Sequence, residues 1–216
     1  MTIAQRQVAT VYRALGRAGM NAGSSGNVSV RSPRGMVITP SGCSADTITD
    51  TDPVNMTLDG KPRGQRVPSS EWFMHSAIYR AYSDAQAIVH THSDACTALA
   101  CLNEELPAFH YLVVRFGGDD VRCAPYVTFG TPALADVAVA ALVDRSACLL
   151  ANHGMIVTGE TADAALIAAI TLEALARQYL LARAAGKVRL LTRAEMQAAR
   201  ERFRTYGPAS RPSAAT

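Results

Sequence analysis

The chain has 216 residues, nearly half of them hydrophobic, with 21 basic and 18 acidic residues and a formal charge of +3. That length suits one domain with ample core, and no unbroken apolar run approaches the ~18 residues that cross a bilayer. All but two of the basic residues are arginine and they are dispersed, so no basic stripe with interleaved aromatics marks a nucleic-acid surface.

In chain order, apolar spacing through Ile3, Val8, Val11, Tyr12 and Leu15 predicts a helix over 3–18, capped by Gly19. A Gly/Ser loop over 22–27 precedes a strand pair, 28–31 and 36–39, joined by a Ser-Pro-Arg-Gly turn. Residues 43–67 are polar and turn-rich, with Asp59-Gly60 as a hairpin tip. Ser69 caps a predicted helix over 70–82 with Glu71 in its first turn. A strand over 87–92 follows, then a short helix from Ser93 to Leu102 and strands over 112–116 and 121–127. Thr131-Pro132 opens a helix to Asp144, since Pro is favoured at the first helical position. Strands flank Asn152-His153-Gly154, a long Ala/Leu-rich helix runs from Thr161 to Gly186, and Thr192-x-x-Glu195 is a capping box for the last helix. No repeat or linker divides the chain, so residues 1–206 read as one α/β domain with a loose tail over 207–216. No signal peptide is legible. Cys43, Cys96, Cys101, Cys123 and Cys148 are an odd set without CxxC, which suits inert thiols in a reducing cytoplasm.

Three histidines and one glutamate carry the chemistry. His90 and His92 stand at i and i+2 on a strand, so both imidazoles leave on one face. His153 ends a second apolar run, 148–151, and supplies a third arm from a neighbouring strand. Either motif alone is commonly a hydrogen-bonded pair or an ordinary turn. Three of only five histidines at strand ends make shared metal ligation the stronger reading. Three imidazoles with an open fourth position are the arrangement of a catalytic zinc-type site. Glu71 is the expected fourth partner, a carboxylate able to shuttle a proton beside a carbonyl that the metal polarises. His75, one helical turn on, reads as a satisfied helix-face histidine. His-Glu-x-x-His is absent, so peptide hydrolysis lacks its usual signature. Lys61 lies in a turn and Lys187 follows a helix end, so neither suits a buried Schiff-base amine.

Three loops of small polar residues, Ser25-Gly26-Asn27, Thr39-Pro40-Ser41-Gly42 and Ser69-Ser70, let backbone N–H groups approach an anion, and Ser70 adds a helix start. Each alone is a turn or a cap. There is no GxxxxGK[ST], so a nucleotide phosphate is not indicated.

Together these motifs resemble the class II aldolase/adducin head family, and within it the bacterial L-fuculose-1-phosphate aldolase group. The likeness runs over about residues 3–206, through Gly26-Asn27-Val28-Ser29-Val30, Ile38-Thr39-Pro40-Ser41-Gly42, Pro68-Ser69-Ser70-Glu71-Trp72, His90-x-His92, His110-Tyr111, Cys123-Ala124-Pro125-Tyr126, Thr128-Phe129-Gly130-Thr131, Asn152-His153-Gly154 and Thr205-Tyr206-Gly207. The resemblance implies a three-layer α/β/α fold on a largely antiparallel central sheet. It implies a cytoplasmic homotetramer with active sites at subunit interfaces. It implies one zinc, or Mn²⁺ or Co²⁺, per subunit on His90, His92 and His153, with Glu71 as acid/base and extra ligand. It carries a phosphate site onto Gly26, Asn27, Ser41, Gly42, Ser69 and Ser70. It makes Tyr111 a proton donor at the aldehyde-side oxygen, and Tyr206 a second interface tyrosine near the substrate. The implied reaction cleaves a ketose 1-phosphate of the fuculose, 5-deoxyribulose or methylthioribulose type into dihydroxyacetone phosphate and an aldehyde. Alternatives are another sugar-phosphate lyase or a 4-epimerase on the same scaffold, a zinc hydrolase, or a non-catalytic adducin-like binding module. Two departures bear on this. Thr91 stands between the histidines as in related ribulose-phosphate 4-epimerases, whereas Glu71 stands where those carry Asp, which favours aldol cleavage.

Overall fold

Thr2 starts the first helix, α1 (Ile3–Arg17): its hydroxyl accepts from Gln5 N while the Gln5 side chain accepts from Thr2 N. The structure is a computed structural model describing residues 1–205, so Tyr206 and the segment 207–216 lie outside the described residues. Two hairpins follow α1. β1 (Asn27–Ser32) and β2 (Gly35–Ile38) close at the expected Ser-Pro-Arg-Gly turn. β3 (Val54–Met56) and β4 (Pro62–Arg63) close around Asp59-Gly60, where Gly60 takes φ 83°. Then come α2 (Trp72–Ala81), β5 (Ala87–Thr91), α3 (Asp94–Cys101), β6 (Cys123–Ala124) and α4 (Pro132–Ala141). The hairpin β7 (Ala147–Leu150) and β8 (Gly154–Gly159) leads to α5 (Ala162–Ala185) and α6 (Arg193–Arg204).

The strands form one eight-stranded sheet in the order β4-β3-β2-β1-β5-β8-β7-β6. Every neighbouring pair is antiparallel except β6–β7, which bears out the expected largely antiparallel sheet. Strand alternation divides the core into two. Val28, Val30, Ala87, Val89, Met155 and Val157 point to the face covered by α1, α3 and α5. Ile38, Ile88, Cys148, Leu150 and Ile156 point to the face covered by α2 and α4. A fully buried Ile or Leu contributes ~1.5–3 kcal/mol, so a one-residue slip of β5 would cost several such side chains and is strongly opposed. That parity places His90 with Ile88, on the α2 side.

Three readings of the sequence need correction. Residues 112–116 are not a strand: Tyr111–Phe116 is a 3₁₀ segment, started by the His110 ring, which accepts from Leu112 N, and ended by Gly117 at φ 96°. The strand propensity of Val113-Val114 is overruled by these two local stops, and both valines bury. The strand expected over 121–127 shrinks to Cys123–Ala124. Ser69 does not cap α2, which starts at Trp72 rather than at residue 70: Glu71 is its N-cap rather than part of its first turn, and it makes no cap bond because its carboxylate turns to the histidines. As expected from the sequence, no unbroken apolar run spans α5, although its length and composition as a whole would suffice to cross a bilayer. Its Ala165, Ala169, Leu172 and Ala176 belong to the core over the sheet, as in a packed core helix.

α5 also performs a task that no local pattern reveals. The Ser93 side chain makes no cap bond at α3. Instead the buried Glu173 carboxylate accepts from Ala95 N and Cys96 N, both at 2.9 Å. α3 starts two residues after His92, so this long-range cap fixes the bend that aims His92.

Candidate metal centre and substrate cavity

The centre of the sheet delivers the ligands. β1 and β8 flank β5, with His90 opposite Asn27 on one side and Ile156 on the other. His92 lies just beyond the end of β5, and His153 lies in the turn between β7 and β8. That turn closes with His153 N donating to Leu150 O at 3.0 Å and Asn152 in the left-handed region at φ 54°. Gly154 is required beside it, because a Cβ there would stand 2.4 Å from Thr91 O and 3.1 Å from the His92 ring. Gly26, at φ 72°, is required on the other side, where a Cβ would stand 2.9 Å from His90 O.

The three imidazoles meet edge to face with centroids 4.8–4.9 Å apart. His90 Nε2 is 3.0 Å from His92 Nε2 and 3.1 Å from Glu71 Oε2, and Glu71 Oε1 is 3.3 Å from His153 Nε2. One donor atom from each of the four residues falls within 4.8 Å of the others. His90 Nδ1 donates to Met155 O at 2.8 Å, which fixes the ring and turns its Nε2 lone pair inward. Glu71 Oε1 is buried and accepts no hydrogen bond. Lone pairs converging in a buried place with an orphaned carboxylate oxygen are what a divalent cation satisfies, so the residues fit one. An N₃O donor set with small reach suits zinc and neighbouring first-row ions.

Electrostatics agree. Burial opposes charge on Glu71, but His90 and His153 outweigh it and hold the carboxyl well below the usual carboxylate range. Burial, then His90 and His153, push His92 down to about 4, so its nitrogens are free of an extra proton at neutral pH. Burial likewise drives His75 down to about 3, with His90 adding to the effect.

A cavity of about 470 Å³ opens over this cluster, lined by Glu71, His92 and His153. Gly26, Asn27, Ser41, Gly42, Ser69 and Ser70 line the same cavity, so the three small-residue loops and the cluster come together. Two of the loops are stitched to each other: Ser41 N donates to Val67 O and Ser69 N to Thr39 O. Those N–H groups are therefore engaged, and what Ser41 and Ser69 offer a ligand is their hydroxyls. The Asn27 amide is engaged at both ends, with Glu71 and with His75. No lysine or arginine lines the cavity among the described residues. Tyr126, Val127, Phe129 and Asn152 also line it, a set that sequence reasoning missed. The two aromatics are largely exposed, a signal only once the cavity is known.

Tyr111 is not brought to this cavity. It is half exposed, stacked on His110 and on Phe203 at centroid distances of 4.6 and 6.0 Å. Thr91 faces away from the histidines, donating to Ser93 Oγ at 3.2 Å, so the residue between the two ligands has no part in the site.

Residues 6–180 match the family model described as the class II aldolase and adducin N-terminal domain. A 5-methylthioribulose-1-phosphate/5-deoxyribulose-1-phosphate aldolase of Rhodospirillum rubrum is 45% identical over 204 residues, covering 94% of this chain and 89% of its own. An L-fuculose phosphate aldolase of Escherichia coli is 40% identical over 203 residues, covering 94% of each chain. A solved L-fuculose 1-phosphate aldolase superposes with a TM-score of 0.90 at 37% identity, over 94% of this chain and 97% of that one.

Proposed function

The chain belongs to the class II aldolase and adducin family, and from that premise we propose that it is a metal-dependent aldolase. It cleaves a ketose 1-phosphate into dihydroxyacetone phosphate and a short aldehyde. The observation that carries this reading is the unpartnered Glu71 Oε1 among three imidazoles, at the floor of a cavity rimmed by serine and glycine loops. The names of the relatives support substrates of the fuculose, 5-deoxyribulose and 5-methylthioribulose type. Exposed Tyr126 and Phe129 on the rim suit the apolar end of a lactaldehyde, acetaldehyde or methylthio-aldehyde.

His90, His92 and His153 would hold the ion, which when bound polarises the substrate C2 carbonyl. The remaining steps fall to the chain. The hydroxyls of Ser41, Ser69 and Ser70, with the start of α2, hold the phosphate without a mobile cation. As the C4 hydroxyl gives up its proton, the C3–C4 bond breaks and its electron pair moves onto the C2 carbonyl oxygen. Glu71, ionised at rest, is the base that takes up that C4 hydroxyl proton and returns it to C3. Asn27 steadies that carboxylate with a 2.8 Å hydrogen bond from its Nδ2.

A panel of ketose 1-phosphates, read by release of dihydroxyacetone phosphate, tests the reading directly. The unphosphorylated ketoses should be poor substrates. Loss of two charge-assisted hydrogen bonds at ~1.5–3 kcal/mol each lowers kcat/KM by ~10²–10⁴-fold. Equal cleavage of free and phosphorylated sugars would remove the phosphate site.

We read the assembly as a homotetramer in which Tyr111 of one copy serves the cavity of a neighbour. Its exposure away from its own cavity supports this, as do exposed Ile167, Ile170 and Leu181 on α5. Tyr111 would then stand beside the aldehyde-side oxygen. Mixing Tyr111→Phe with Glu71→Gln should regain activity above either variant alone, and a fully active monomer in sedimentation would overturn the shared site. A cytoplasmic location is supported by five free cysteines.

A further inference from the structure

Helix and strand periods interlock behind Glu71. Asn27 and Ser29 are two apart on β1 and share a face, while His75 and Tyr79 are four apart on α2 and stack one above the other. All four are buried. They form one chain of contacts: Tyr79 hydroxyl to Ser29 Oγ at 2.9 Å, Ser29 Oγ to His75 Nδ1 at 2.7 Å, His75 Nε2 to Asn27 Oδ1 at 2.5 Å, and Asn27 Nδ2 to Glu71 Oε2 at 2.8 Å. We propose that Tyr79, Ser29, His75 and Asn27 are a one-directional hydrogen-bond relay that positions Glu71, with His75 in its Nε2–H form as the residue that transmits the direction.

The direction follows from the chemistry of the ends. An ionised carboxylate only accepts, so the Asn27 amide must turn its NH₂ to Glu71. Its carbonyl oxygen then faces His75 and also only accepts, so His75 Nε2 carries the hydrogen. Nδ1 of that neutral imidazole is an acceptor, filled by the Ser29 hydroxyl, whose own oxygen accepts from Tyr79. Complete burial of His75 disfavours the imidazolium, which would reverse the Ser29 contact. The result is asymmetric: Oε2 is pinned by Asn27 while Oε1 is left without a hydrogen bond, facing the imidazoles. A relay in which each successive donor meets an acceptor rigidifies a proton-transferring group more than packing alone does.

The inference rests on the reading of Glu71 as the acid–base group, and its test separates the two. In the metal-loaded wild-type protein, ¹⁵N chemical shifts of His75 should give a protonated Nε2 and an unprotonated Nδ1 from pH 6 to 8. An Nδ1–H tautomer or an imidazolium would overturn the relay whatever the assay shows. His75→Met, which cannot donate, should lower kcat for cleavage and for exchange of the α-proton of dihydroxyacetone phosphate by ~10–100-fold, with KM and metal content within about twofold. His75→Gln offers one acceptor and one donor at similar reach and should restore most of that loss. A His75→Met enzyme with wild-type kcat, or a Gln variant no better than Met, would refute the positioning role. A wild-type protein that neither cleaves nor exchanges would refute the aldolase reading and with it the catalytic use of the relay, while the tautomer still decides whether the relay exists.

Discussion

His92→Ala is expected to strip the protein of most of its metal and of measurable aldolase activity. The four-residue cluster offers four donor atoms within 4.8 Å of one another, and removing one imidazole leaves two rings and a carboxylate. A full set of zinc ligands is worth roughly 10–16 kcal/mol in small sites, so one arm corresponds to a few kcal/mol, or on the order of 100-fold or more in affinity. The fold should survive. His92 lies beyond the last residue of β5 and is half-buried, and the bend after it is held from α5 by Glu173 through Ala95 and Cys96. The variant separates chemistry from packing for a second reason. His92 is pushed to about 4, so in the wild type no proton competes for its nitrogen at neutral pH, and competition sets in only as the pH falls towards that value. Elemental analysis after dialysis at neutral pH, beside circular dichroism, measures both effects. Full metal occupancy in a well-folded His92→Ala protein would remove His92 from the ligand set.

The ligands were legible because strand geometry is rigid. A His-x-His on one strand must share a face, and Asn152-His153-Gly154 reads as a turn because Asn tolerates the left-handed conformation that residue 152 takes and Gly allows the close approach that residue 154 makes. The hairpins and helix caps at Thr131, Thr161 and Thr192 were legible for the same local reason. Most of what escaped was set at long range. One miss was local: the Leu112–Phe116 segment looks like a strand from its own residues, and it becomes 3₁₀ because its chain neighbours His110 and Gly117 bound it. Glu173 as the cap of α3 joins residues 77 and 78 positions apart, which no local pattern encodes. His75 reads from sequence as a satisfied helix-face histidine, and it is satisfied, but by partners on β1 that connect it to Glu71. Tyr126 and Phe129 join the cavity because the loop after β6 folds back towards Ser70, where Gly130 would bring a Cβ to 3.5 Å of its carbonyl.

Glu71→Gln is expected to keep the metal and the fold while slowing exchange of the α-proton of dihydroxyacetone phosphate by ~10²–10⁴-fold, the usual contribution of a positioned acid–base group. The substitution is close to isosteric. A glutamine can turn its carbonyl oxygen to Asn27 Nδ2 and keep that 2.8 Å contact, so the wall of the cavity is preserved. What it loses is the negative charge that His90 and His153 stabilise, and with it the capacity to accept a proton. Three imidazoles remain to hold the ion, so metal content should fall far less than in His92→Ala. The comparison of the two variants therefore divides ligation from proton transfer. His75 is the nearest other titratable group on α2, but it is fully buried and Asn27 lies between it and Glu71, so it is not positioned to take over. Exchange at the wild-type rate in a metal-loaded Glu71→Gln protein would exclude Glu71 as the proton carrier. It would leave the carboxylate only the task of completing the ligand set, and the search for the base would pass to groups brought in by a neighbouring copy.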